Sequence, residues 1–345
     1  MVRSRSGSGR RCLLSVFAAA TTMAAGGCGA VARVPEQTYL GASHNWAFRA
    51  GYPHSDRLFN AFDYGHAILY ELLLRDNGRP ADAVRDIDGR EFEFITLHLL
   101  VQPPALPLEE RAVGPTYTTL VPELFAVFDW THMLHRQIYD VLADKKLDSA
   151  ARDARVAQLL RYYASRRDLA LSSLPKSMEL MEGAKYSLAF RRQNPKFNGL
   201  LWSYHWYQMV LYDALLATND ASGRQRNVDA ATSHFWQLLA DAPSHMPTMM
   251  PMAAAIAPRF VQRYPDAAII FDNLHSLHDV VADILTSPVI PAGEKRAAIL
   301  RAVRTYQDAT TGVVSRDEWR SMAQEMGVDN MGGPAPTPSV KAQQR

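Results

Sequence analysis

At 345 residues the chain is long enough for one large domain or two ordinary ones, and 48% hydrophobic with 21% charged residues is a globular composition. A net charge of +2 excludes a general polyanion binder, so no nucleic-acid partner is expected. The only cysteines are Cys12 and Cys28, which excludes a disulfide framework and a thiolate metal site.

Residues 1–27 read as an export signal. Arg3, Arg5, Arg10 and Arg11 precede an apolar run from Leu13 to Ala25 that is too short for an ordinary membrane helix. Arg10-Arg11 followed by Cys12-Leu13-Leu14 fits a twin-arginine signal, which exports folded and cofactor-loaded proteins, as well as a general signal. The stretch "AAGGC", ending at Cys28, resembles a bacterial lipobox. Lipidation of Cys28 places the protein at a membrane surface of the cell envelope and accounts for an odd cysteine in an oxidising compartment. A competing cleavage point follows "AVA", Ala30 to Ala32. Residues 28–43 form the tether.

From residue 44 the chain reads as helix almost throughout, because strand-like alternation is scarce. The one alternating stretch, "EFEFITLHLL" (Glu91 to Leu100), is also assigned to helix. An internal repeat sets the organisation. Ala47 to Leu74 aligns without gaps to Ala189 to Leu216, with nine identities in 28 positions. "FDWTHMLHRQIYDVL" (Phe128 to Leu142) aligns to "FDNLHSLHDVVADIL" (Phe271 to Leu285), with seven identities in 15. The expected fold is all-α: a pseudo-twofold duplicated helical bundle with a central four-helix core and extra flanking helices. Its parts are repeat 1 (44–146), connecting helices (147–185), repeat 2 (186–289), C-terminal helices (290–326) and a disordered tail (327–345). The stretch from Asp308 to Trp319 lacks the first carboxylates of a calcium loop. It fits better as a turn with a capping box, Ser315 to Glu318.

Histidines recur on apolar helical stripes. Phe125, Phe128, His132, His135, Tyr139 and Leu142 are spaced by three and four residues and share one face. His275 and His278 follow the same rhythm in the aligned segment. His66 sits on the stripe of Phe59, Phe62, Leu69 and Leu73, and His205 on that of Leu201, Gln208, Tyr212 and Leu215. Asp129 and Asp272 each precede a histidine by three residues, and Asp63 aligns with His205. Six imidazoles on inward stripes need partners, since an unpaired buried polar group costs about 1–3 kcal/mol.

A metal supplies such partners. The candidate ligands are therefore His66, His132, His135, His205, His275 and His278, with Asp63, Asp129 and Asp272 as further ligands or orienting groups. Nitrogen-rich, sulfur-free donors favour copper or iron, with zinc admitted. A b-type haem between two histidines is the lesser alternative, and no C-x-x-C-H is present for covalent haem. His44, His54, His98, His234 and His245 lie off the stripes. No nucleophile motif or phosphate loop occurs. The sequence thus points to an exported, lipid-anchored metalloprotein with a histidine-rich site of one or two ions in the bundle core, redox or oxygen-linked, its protein partners unspecified. A metal carrier or store, and a metal-free helical adapter, are the alternatives. One observation separates a shared site from two distinct ones. Histidine pairs more than about 12 Å apart share no ion, because metal–nitrogen bonds are only about 2 Å.

Overall fold

The computed structural model describes residues 46–77, 86–107 and 110–325. The export signal, Cys28, the tether, His44 and the tail lie outside these. The described residues are all-helical, with no strand among them. No helix among them is long and apolar enough to cross a membrane.

Four long helices carry the core: α2 (Pro53–Arg75), α5 (Pro122–Ala143), α8 (Pro195–Leu216) and α12 (Pro265–Thr286). Short helices precede them. These are α1 (Ala47–Gly51) before α2; α3 (Glu110–Val113) and α4 (Pro115–Leu120) before α5; α7 (Ala189–Gln193) before α8; and α10 (Ala253–Ile256) and α11 (Pro258–Arg263) before α12. Helix α6 (Ser149–Ser165) follows α5, α9 (Ala221–Leu239) follows α8, and α13 (Lys295–Gln307) and α14 (Arg316–Glu325) are the last helices of the described residues.

Each long helix begins with proline at its first position, where the missing N–H leaves no bond unmade. Proline also bars its predecessor from helical dihedrals. Tyr52, Val121, Asn194 and Tyr264 accordingly sit at φ of −137° to −132° and ψ of 59° to 63°. The chain bends there without losing every bond. The Tyr52 N–H still donates to the Phe48 carbonyl at 2.7 Å, and Asn194 to Phe190 at 2.8 Å.

The core helices interlock. Helix α12 packs against α2 and α5, and α8 packs against the same two. Every residue of α12 from Ala267 to Leu285 is buried, so this helix runs through the interior. Element limits recur along the chain: α3, α4 and α5 begin at 110, 115 and 122, and α10, α11 and α12 begin at 253, 258 and 265, each 143 later. Buried carboxylates recur with them. Asp140 accepts from the Phe48 N–H at 2.8 Å, and Asp283 from the Phe190 N–H at 2.8 Å. Glu71 accepts from the Thr116 and Tyr117 N–H groups, as Asp213 does from those of Arg259 and Phe260. Each meets N–H donors left open in the first turn of a helix.

The alternating stretch is helical, but wide: Ile87–Glu91 and Ile95–Leu99 are π-type turns around one short α-turn. Ile87, Phe92, Ile95 and Leu100 face inward while Phe94 and Leu97 are exposed. Near the C-terminus Ser315 caps α14 through its hydroxyl, which accepts from the Glu318 N–H at 3.1 Å.

Candidate metal centre

The apolar stripes of α2, α5, α8 and α12 converge, and the six histidines meet between them. His205, His275 and His135 are 0% exposed, and His132, the most accessible, is 6%. His66 Nε2 lies 3.3 Å from His205 Nε2, and His278 Nδ1 lies 3.4 Å from the same His205 nitrogen. Donor atoms of His66, His205 and His278 all fall within 4.8 Å of one another. The His205 and His275 rings stack at 4.0 Å. His132 lies 5.4 Å from His278 by ring centroids, and His135 lies 6.0 Å from His275. The two aligned histidine pairs therefore join one cluster.

These spacings suit an ion better than a hydrogen bond. A good N–H···N bond is nearer 2.9–3.0 Å. Two nitrogens on a tetrahedral ion with bonds of about 2.05 Å lie about 3.3 Å apart. The ring centroids of neighbouring histidines in the cluster lie 4.0 to 6.4 Å apart.

Neighbouring groups fix which nitrogen presents a lone pair. His66 Nδ1 is 2.9 Å from the Phe62 carbonyl oxygen, which only accepts, so Nδ1 carries the proton and Nε2 is free to ligate. The Tyr212 hydroxyl lies 2.8 Å from the His135 carbonyl and 2.7 Å from His135 Nδ1. Its single proton goes to the carbonyl. His135 Nδ1–H then donates to the hydroxyl oxygen, and Nε2 keeps its lone pair. Gly65 leaves room for Tyr204 beside His66: a Cβ there would meet the Tyr204 ring at 3.1 Å.

Electrostatics keep the rings in ligand form. Burial lowers the pKa of all six histidines, and for His66 brings it to about 4, with His132 adding to the shift. Neutral imidazole is the form that binds metal. Six ring nitrogens have no hydrogen-bond partner: His132 Nδ1, His135 Nε2, His205 Nδ1, both of His275, and His278 Nε2. At about 1–3 kcal/mol for an unsatisfied buried group, such a set weighs heavily against a total stability of about 5–15 kcal/mol.

The expected aspartates are not brought into this group. Asp129 is exposed on α5. Asp272 is buried but faces away: its carboxylate accepts from the Ala253 N–H at 2.9 Å and from Trp319 Nε1 at 2.8 Å. Burial raises its pKa to about 7. Asp63 comes closest, but pairs with Arg136 at 2.6 Å and leaves its Oδ1 buried without a partner. Its charge raises the pKa of His66 and His132 against the larger effect of burial.

Glu110 is a carboxylate that the stripes did not reveal. It stands on α3 with Oε1 4.0 Å from His132 Nδ1. Burial, then the charges of Asp63 and Asp129, hold its pKa well above the usual range. Its only sequence signal was an acid at the start of a proline-delimited turn. Among the other histidines, His54 and His98 are exposed. His245 Nδ1 donates to the Ala240 carbonyl at 2.8 Å, and the neighbouring Met246, Met250 and Met252 are buried packing.

No protein-family model matches the chain, and no match is found among curated proteins or solved structures.

Proposed function

We propose that the protein is a metalloprotein whose transition-metal ion is held by His66, His205 and His278 in the bundle core. The observation that carries this is the cluster itself: four helices deliver neutral imidazoles with two nitrogen separations of 3.3 and 3.4 Å and six further nitrogens unpartnered. Three nitrogen ligands leave coordination positions open on the ion. Two clefts among the described residues are lined by none of the six histidines. The deep burial of the three ligands favours electron transfer or a ligand as small as dioxygen, hence copper or iron over zinc. Complete burial also fits a second reading, a carrier or store that shields its ion. The recurring element limits and carboxylate contacts support a duplicated bundle with pseudo-twofold symmetry. Export and anchoring through Cys28 are part of the same proposal and rest on the sequence pattern alone.

The test is metal analysis of protein produced with its own signal segment, beside His205→Ala. Stoichiometric copper or iron in the parent and its loss in the variant is the expected result. Trace metal in both, with the variant as helical as the parent, overturns the proposal. Dioxygen uptake or a redox-dependent absorption band then separates turnover from storage.

A further inference from the structure

Residues 92–107 carry apolar side chains on both of their faces. Inward, Ile95 and Leu100 are fully buried and join the core. Outward, Phe94, Leu97, Val101 and Leu106 are 46% to 63% exposed. Apart from His98, the only ionisable side chain of the stretch is Glu93. A helix apolar on one stripe is covered on that stripe, and one apolar all round is covered on every side. The core covers the inner face here, and nothing among the described residues covers the outer one.

The occupant follows from where the chain enters. The first described residue, Trp46, is 54% exposed, with the Arg49 guanidinium 4.0 Å over its ring. Tryptophan beside arginine suits the boundary between lipid and water. A short run of contacts leads from this entry to the apolar stretch. Arg49 pairs with Asp56 at 2.8 Å, and the next residue, Arg57, donates to the Pro103 carbonyl at 2.9 Å. Asn60 donates to the Pro104 carbonyl at 2.9 Å. Val101 and Leu106 flank those two prolines. Entry point and apolar face therefore lie at the same end of α2. Residues 29–45 separate Trp46 from Cys28. They span at most about 60 Å, at about 3.6 Å per residue, so a lipid on Cys28 confines this end of the protein to the vicinity of a bilayer.

We propose that Phe94, Leu97, Val101 and Leu106, together with Trp46, seat the protein on the lipid surface of the membrane that holds Cys28. The proposal rests on the reading of Cys28 as lipidated. Apolar burial drives the contact, since Glu93 is the one charge of the stretch, so salt does not weaken it. A lipid chain and an apolar face are two signals that hold a protein to a bilayer more firmly than either alone. The helical body then lies against the membrane instead of hanging at the end of its tether.

The test uses the full chain, produced with its own signal segment and reconstituted in phosphatidylethanolamine–phosphatidylglycerol vesicles, with a specific protease site inserted between Glu36 and Gln37. Flotation of the uncut protein reports anchor and face together, and flotation after cutting reports the face alone. The cut parent is expected to float with the vesicles, in high salt as in low. Leu97→Glu and Val101→Glu, each as helical as the parent, are expected to float while uncut. Once cut, each should bind vesicles at least about tenfold more weakly, as the loss of one buried apolar side chain implies. A cut parent that stays behind at every lipid concentration overturns the face and leaves the anchor standing. A cut parent that instead pairs with a second copy, through a contact that Leu97→Glu breaks, overturns the lipid assignment as well. Uncut Leu97→Glu that fails to float, where the cut parent does float, sinks the anchor and supports the face. An uncut parent that does not float overturns both.

Discussion

At the scale of single residues, the aspartates and the glutamate exchange the roles that spacing suggests. A residue three positions before a histidine is rotated by about 300° around a helix, about 60° short of a full turn. That offset carries Asp129 to solvent and turns Asp272 toward α10 and α14. Asp272→Asn is therefore expected to bind metal like the parent. It should lose about 1–3 kcal/mol of stability in urea titration, because the amide offers one acceptor oxygen where Ala253 and Trp319 now share two. Loss of metal in a folded Asp272→Asn protein would return the residue to the site. Proton competition gives a second residue-scale prediction. His66 is half protonated only near pH 4, below its ordinary value near 6.5. Protons oppose metal binding only where the ligand titrates. Metal should therefore be retained at pH 5.5 as fully as at pH 7.5, and lost as pH falls through about 4. An exposed histidine site would already empty near pH 6.5. Metal content after dialysis at each pH is the measurement, with circular dichroism reporting the fold.

At the scale of elements, much of the architecture is legible in the sequence, because proline marks helix starts and histidines lie on counted stripes. Pro122 and Pro265, for example, open α5 and α12. What spacing does not contain is the rotation of one helix against another. That rotation puts His66, His205 and His278 nitrogens together while His135 turns to Tyr212. Nor does it reveal the wide turns of 87–99, which a period count reads as ordinary helix. Glu110 escaped because a four-residue helix has no stripe. The repeated carboxylate contacts make an element-level prediction. Asp140→Asn and Asp283→Asn each weaken the tie that positions α1 or α7. Each should cost about 0.5–2 kcal/mol in chemical denaturation, the range for helix N-terminal contacts. Nearly equal costs would support functional equivalence of the two contacts, and a large disparity would argue against it.

At the scale of the whole molecule, the six unpartnered ring nitrogens and the half-buried Arg136–Asp63 pair are borne by one core. A ligand that binds only the folded state adds stability by mass action, about 2.7 kcal/mol at a hundredfold excess over Kd. Metal-loaded protein is thus expected to melt well above the metal-free form, and His205→Ala to show no such difference. Equal melting temperatures for loaded and metal-free parent would count against a core site.

The enclosure of His205 and His278 also sets a clock. An ion between rings that solvent does not touch leaves only when helices part, so its departure follows the opening rate of the bundle. A strong chelator should then strip the ion at a rate that no longer rises with chelator concentration. By the same reasoning, filling is slow once the helices have closed. A protein built this way is best loaded while it folds, which suits an export route that carries folded chains with their cargo aboard.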